Sequence, residues 1–256
     1  MLRGVDISAV QGTVSFADVK AMGCRFVICK GGEGNRPGPD PRFKEHVAGS
    51  RAAGLIPGVY QFVYPLPPDG VNAGRGPVEQ AQHHFDITGG FGSHDGELPP
   101  LIDAEWPEPQ DWAKWGCNAA QIRGWLLAYL DEMTTLCGGR KPLVYTYPDW
   151  ASHVGLASEP RFASYGLWLA SYRKPATWPD DGTAFPAVAP WTNATFWQVS
   201  GGDMHLPNGV PVDCDVFNGG ETELANLARI PMPSGVSPIR VDGAFSSGPP
   251  PPETST

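Results

Sequence analysis

The sequence predicts an α/β domain in which eight short strands, most of them parallel, close into a barrel. Three observations point there. Short β-branched runs alternate with helical patterns, as they do in parallel βα units. At 256 residues and 41% hydrophobic composition, the chain is long enough to bury one large core. Polar and aromatic side chains recur near the C-terminal ends of the predicted strands, where barrels of this class carry their functional groups.

The elements follow in order. The run GVDIS at 4–8 reads as the first strand, and Ser15 caps a short helix reaching Met22. CRFVICK at 24–30 is the second strand; in the helix after it, Asp40 is the expected N-cap, Pro41 the first helical residue and Gly54 the stop. IPGVYQFVY at 56–64 is the third strand, with its helix over 76–87. The fourth strand lies in PPLIDAEWPE at 99–108. In the following helix Ile122, Trp125, Leu126, Tyr129, Leu130 and Met133 recur at three- and four-residue steps, and Gly138 ends it. KPLVYTY at 141–147 is the fifth strand. The segments 165–172, 194–200 and 212–217 read as three more strands joined by Pro- and Gly-rich loops, before a last helical turn or two near 221–229.

Composition narrows the partners. A net charge of −9 opposes binding to nucleic acid or an anionic membrane surface, so neither is expected as a partner. The 32 glycines, 28 prolines and nine tryptophans fit both a sugar-binding cleft and an ordinary loop-rich enzyme. The cysteines at 24, 29, 117, 137 and 214 form no CxxC pair and read as reduced structural thiols. Neither an export signal at the N-terminus nor a run of 18 apolar residues is visible. Residues 231–256, with seven prolines, read as an extended tail or linker after a domain spanning 1–230.

The chemistry centres on the fourth strand. A strand alternates faces, so Leu101, Asp103 and Glu105 point one way and Ile102, Ala104 and Trp106 the other, which makes Trp106 a packing residue. Neighbouring carboxyls repel and are costly to bury, so such a pair is either solvated at a strand end or functional. Asp6 and Asp213 arrive from the first and last strands. Clustered negative charge keeps a proton on at least one member near neutral pH, and cleaving a glycosidic bond needs such a protonated acid beside a second, stabilising group. For Glu33, which follows two glycines, a simple turn and a cleft role both stand; for Trp168 and Trp197, core packing and sugar stacking both stand. The six histidines have no metal-binding spacing, His83 and His84 read as packing or surface residues, and GGEGNRPG lacks the pattern of a phosphate loop.

The chain resembles the glycoside hydrolase family 25 lysozymes, the Chalaropsis-type muramidases, from Gly4 to about Leu227. The matching pieces occur in order: GVDIS with Gln11-Gly12 after it, CRFVICKGGEG, AAGLIPGVYQF, LPPLIDAEW, KPLVYTY, LWLASY, FWQVS and VDCDVFNG. The resemblance implies a flattened TIM-like (β/α)5β3 barrel that hydrolyses the β-1,4 bond from N-acetylmuramic acid to N-acetylglucosamine in peptidoglycan, as a monomer and without a metal or cofactor. It implies Glu105 as general acid/base, Asp103 as the partner that stabilises the intermediate or orients the substrate acetamide, and Asp6 and Asp213 as supporting acids. Tyr60, Phe62, Tyr145 and Gln198 fall on cleft-lining positions, with Glu33, Trp168 and Trp197 as further binding candidates. Two departures stand out. Ala9 and Val10 replace a common His-Trp, and Gln61 a common His, and both are expected to alter cleft walls rather than the acids. The implied setting is the bacterial cell wall, reached by a phage-encoded lysin through a holin-type pore or carried in the virion, or by a bacterial autolysin exported otherwise. Two readings from other classes are a metal-dependent phosphoesterase using the four acids as ligands, and a catalytically silent peptidoglycan-binding module.

Overall fold

The computed structural model describes residues 1–67 and 75–231; beyond Pro231, the predicted tail lies outside the described residues. In chain order the elements are β1 (Leu2–Ile7), α1 (Phe16–Ala21), β2 (Cys24–Glu33), α2 (Phe43–Ala52), β3 (Ile56–Phe62), α3 (Pro77–Ile87), β4 (Leu101–Asp103), α4 (Trp112–Trp115), α5 (Ala119–Leu136), β5 (Leu143–Thr146), α6 (Pro148–Val154), β6 (Gly166–Ala170), β7 (Phe196–His205), β8 (Pro211–Phe217) and α7 (Glu221–Leu227). The eight strands form a closed barrel in sequence order. Strands β1 to β7 run parallel, and β8 pairs antiparallel with both β7 and β1. Each of the first five strands is followed by a helix, none separates β6 from β7 or β7 from β8, and α7 comes after β8, which is the (β/α)5β3 order.

The period of two decides what each face of the barrel meets. Phe26 of β2 and Phe196 of β7 touch across the lumen, their ring centroids 5.0 Å apart, which fixes the inward face. Ile28, Leu101, Leu143, Trp168 and Phe217 join them there. The alternate residues Val5, Val27, Cys29 and Val59 pack outward with Val19 of α1 and Val47 of α2. On the other side Ile102, Val144, Leu167 and Leu169 meet Ile122, Leu126 and Leu130 of α5, the helix whose apolar stripe was plainest in the sequence. Asn118 caps α5 by accepting from the Gln121 backbone N–H, and Ser15 caps α1 likewise through Asp18.

Three local expectations are corrected. Asp40 does not cap α2: one of its oxygens accepts from the Arg42 N–H and the other from the Ala9 N–H, so it ties the loop after β1 to a turn, and the helix starts at Phe43. Helix α6 was not anticipated because seven residues are too few to display helical periodicity, although Pro148 stands at its first turn. Strand β7, expected to end at Ser200, runs on through Gly201 and Gly202 to His205 and extends the antiparallel ribbon with β8.

Gly4 shows how tightly the lumen is filled. A Cβ at this position would lie 2.2 Å from the Phe26 ring, which is itself clamped against Phe196. Gly4→Ala is therefore expected to destabilise the fold by about 1–3 kcal/mol through overpacking, read as a lower urea midpoint with an unchanged slope.

Candidate active site

Strand β4 ends at Asp103, which stands in register with Phe62 of β3 and Tyr145 of β5. As the alternation requires, Leu101 lies in the lumen while Ile102 and Ala104 pack outside. Glu105 sits two residues past the strand, anchored because the Ala104 N–H donates to the Tyr145 carbonyl. Asp6 of β1 stands opposite Asp213 of β8 in the antiparallel register. The next residue on that face of β8 is Asp215, in register with Gly4 and with Gln198 of β7, and it is fully buried.

These groups form one hydrogen-bonded floor. The Trp168 indole N–H donates to Asp215 Oδ1 at 2.7 Å, and the Gln198 amide donates to Asp6 Oδ2 at 2.7 Å. The Gln198 carbonyl in turn accepts from the Tyr145 hydroxyl at 2.9 Å and the Tyr172 hydroxyl at 3.2 Å. No arginine or lysine salt bridge reaches Asp6, Asp103, Glu105, Asp213 or Asp215 among the described residues.

Burial among like charges controls the protonation of this cluster. Asp103 is pushed well above the usual carboxylate range, first by burial and then by the charge of Glu105, with Lys30 opposing. Glu105 is raised by burial and by Glu108, again against Lys30. Asp213 rises to about 6 through burial, although the Gly202 backbone N–H stabilises its charged form. Glu33 behaves oppositely: burial would raise it, but hydrogen bonds from Lys30 (2.8 Å) and Tyr64 (2.5 Å), with Arg36 nearby, hold it below the usual range. The cluster therefore favours the protonated form at Asp103 and Glu105 and the charged form at Glu33 beside them.

Two aromatic hollows flank Asp103. Over β2 to β4 lies a cavity of about 500 Å³ lined by Glu33, Asn35, Phe62, Tyr64, Trp106 and Trp115. Over β4 to β6 lies one of about 430 Å³ lined by Glu105, Glu108, Tyr145, Tyr147, Ala170 and Tyr172. Another cavity, of about 480 Å³, lies beside α2 and the segment entering β4, away from the acids. Trp106 packs on Tyr64 and Trp115 at centroid distances of 4.8 and 4.9 Å. It is thus a wall of the first hollow as well as a packing residue, which corrects the expectation from strand alternation; β4 has ended before it.

The structure brings Asp6, Asp103, Glu105, Asp213, Tyr60, Phe62, Tyr145, Gln198 and Glu33 to this end of the barrel. It removes two expected binding residues. Trp168 is 2% exposed in the lumen, between Tyr60 and Tyr145, and Trp197 is 7% exposed on the outer face, donating to the Ser171 carbonyl at 2.7 Å. Neither offers a ring face to a sugar. Gln61 is likewise buried behind the sheet, against Gly31 and Gly32, and lines no cleft wall, whereas Val10, 89% exposed, stands in the turn just after β1. His84 is a packing residue between Tyr129 and the Gly34 carbonyl, its pKa lowered to about 3 by burial, and all five cysteines are free and buried. Sequence reasoning missed Asp215 and Trp115. The signal for Asp215 was its spacing of two from Asp213, the same alternation that singled out Asp103 and Glu105; Trp115 carried none.

A closed barrel with proton-retaining carboxyls at the C-terminal ends of its strands, between two aromatic hollows, is the arrangement of a glycoside hydrolase. Residues 5–204 match the family described as glycosyl hydrolases family 25. An N,O-diacetylmuramidase from Chalaropsis sp. is 32% identical over 219 residues, covering 81% of this chain and 94% of that protein. Lysozyme M1 of Streptomyces globisporus is 29% identical, covering 89% of this chain and 71% of that protein. A family GH25 lysozyme structure from Aspergillus fumigatus superposes with a TM-score of 0.72 at 29% identity, covering 89% of this chain and 98% of that one. The chain belongs to glycosyl hydrolases family 25.

The outward position of Trp197 has a consequence. Trp197→Phe is expected to cost about 1 kcal/mol of stability, from the hydrogen bond to Ser171, and to leave catalytic constants unchanged; denaturant titration alongside steady-state kinetics checks both.

Proposed function

We propose that the chain is an N-acetylmuramidase, cleaving the β-1,4 bond between N-acetylmuramic acid and N-acetylglucosamine in peptidoglycan, with residues 1–230 as its catalytic domain. The observation that carries this reading is the buried Asp103–Glu105 pair, its acidity weakened by burial and like charge, at the mouth of the barrel between two aromatic hollows. Relatives with this architecture are named muramidases and lysozymes.

In the proposed reaction Glu105 gives its proton to the glycosidic oxygen as the bond to the anomeric carbon breaks, and the N-acetylglucosamine side leaves as an alcohol. Asp103 stabilises the positive charge developing on the ring or orients the 2-acetamido group. The ionised Glu105 then takes a proton from water as the water oxygen bonds to the anomeric carbon, which restores the acid. Glu108 and Asp213 supply the negative field that favours the Glu105 proton, while Asp6 supports the cleft by accepting from the Gln198 amide. Tyr60, Phe62 and Tyr145, with Gln198 below them, shape the cleft. The hollow of Tyr64, Trp106 and Trp115 takes the faces of sugar rings. The proposed setting is bacteriolysis at the cell wall, by a monomer, in phage release or entry. Lysis of susceptible cells by added protein, with its mass measured in solution, tests that part.

The first test is release of reducing ends from purified peptidoglycan. Glu105→Gln is expected to lower kcat at least about a hundredfold, and EDTA to leave the native rate unchanged. Abolition by EDTA would instead favour metal-assisted chemistry at the four acids. Native protein that binds the wall and releases no sugar ends would replace the enzyme with a wall-binding module. Trp115→Ala is expected to raise KM roughly three- to tenfold with little change in kcat, since stacking acts on ground and transition states alike.

A further inference from the structure

Asp215 has no counterpart in the reaction just described, yet it is the most completely enclosed carboxyl of the cluster, with no exposed surface. Its Oδ1 accepts from the Trp168 indole at 2.7 Å, while its Oδ2 is buried with no conventional donor. The neighbouring carboxyl on that face is Asp6, one step along the antiparallel register of β1 and β8 and within reach of a shared proton. Two carboxylates cannot bond to each other without a proton between them. The groups facing the pair supply no cation: they are Asp213 on β8, Tyr60 on β3, Trp168 on β6 and Gln198 on β7, with Tyr145 and Tyr172 beyond; Cys24 and Cys214 lie on the outer face.

We propose that Asp215 is a positioning residue for the muramidase reaction: it shares one proton with Asp6, and the pair fixes the Gln198 amide and, through it, the Tyr145 and Tyr172 hydroxyls beside Glu105. This inference rests on the function proposed above. The direction of the chain follows from the donors. Trp168 occupies one Asp215 oxygen, so the other is committed to Asp6. Asp6 must then accept from Gln198, and this leaves the Gln198 carbonyl facing the two hydroxyls. Burial without a cation raises both acids, Asp215 to about 8.

The sign of the pH dependence is determined by that shift. An acid whose pKa is higher in the folded than in the unfolded state stabilises the fold fully below the unfolded value, and this stabilisation is lost as pH rises toward the folded value. Over pH 5 to 7 the pair alone makes the unfolding constant of the native protein rise by up to about tenfold per pH unit.

The test compares the native chain with D215N and D215L. Asparagine keeps an acceptor for Trp168 and gives Asp6 an N–H in place of the shared proton; leucine does neither. In D215N the rise in the unfolding constant from pH 5 to pH 7 is expected to shrink about tenfold or more, because one buried proton is no longer held. The infrared difference spectrum at pH 7, native minus D215N, should show the carbonyl band of one protonated carboxyl. At pH 6, D215L is expected to lose about tenfold or more in kcat, with KM little changed, and D215N to recover most of it. Equal pH dependence of unfolding in the native chain and D215N, or no carboxylic acid band, would overturn the shared proton. A loss of kcat in D215N as deep as in D215L would overturn the positioning role. If D215L does not fold, the D215N measurements still decide. A native chain that shows the band and the pH dependence but releases no reducing ends would leave the shared proton standing and sink the muramidase reading instead.

Discussion

The antiparallel seating of β8 between β7 and β1 is the constraint on which the rest depends. Seven parallel strands alone leave an open sheet with β1 and β7 as edges. By pairing with both, β8 closes the barrel and sets Asp213 opposite Asp6 and Asp215 opposite Gln198. Acids separated by about two hundred residues thereby meet on one floor. The closure is supported from inside: Phe217 of β8 packs on Phe196 of β7, which packs on Phe26 of β2. Gly4 is required where the last ring fits.

Closure also sets the electrostatics. The lumen below the acids is filled by aromatic and aliphatic side chains, so the carboxyls at its mouth are cut off from water on one side. Lys30 is the cation whose charge opposes the shifts of Asp103 and Glu105, and its ammonium is already bound to Glu33. One site thus biases its carboxyls in opposite directions. The charged form of Glu33 is favoured because donors surround it, while burial and like charge disfavour ionisation of Asp103 and Glu105. Separating the acidities of neighbouring acids is what proton donation near neutral pH requires. The energetic cost of that separation is borne by packing elsewhere in the barrel.

The cleft walls come from the loops after the strands, not from the strands themselves. Trp106 and Trp115 lie past β4, and Tyr64 past β3, yet they assemble as a stack beside Phe62. Gly34 adopts a positive φ of 48°, and a side chain there would collide with Tyr64, so this loop can approach the aromatic wall only as glycine. The departures at Ala9 and Val10 fall in the turn after β1, on the rim of the same end of the barrel. Variation in these loops changes which ligand is gripped while the carboxyl floor stays the same.

Sequence by itself determined the strand order, the helices after the first four strands, the α5 stripe, the inward face of β4 and the presence of Asp6, Asp103, Glu105 and Asp213 at strand ends. These are carried by local periodicity, caps and the alternation of side chains, all readable within a few neighbouring residues. The tertiary structure alone decided which aromatics face a ligand. Trp168 and Trp197 sit in similar apolar strands, but one is enclosed by the lumen and the other turned to the outer layer, because burial depends on what lies across the barrel. Trp106 was assigned to packing by an alternation that had already ended at Asp103. Gln61 was expected in the wall and lies behind it, since an odd position on β3 faces α3 rather than the lumen. Asp215 was visible as a residue and silent as a partner: its one free oxygen meets Asp6 only when β8 closes against β1, a contact between opposite ends of the chain that no local pattern encodes.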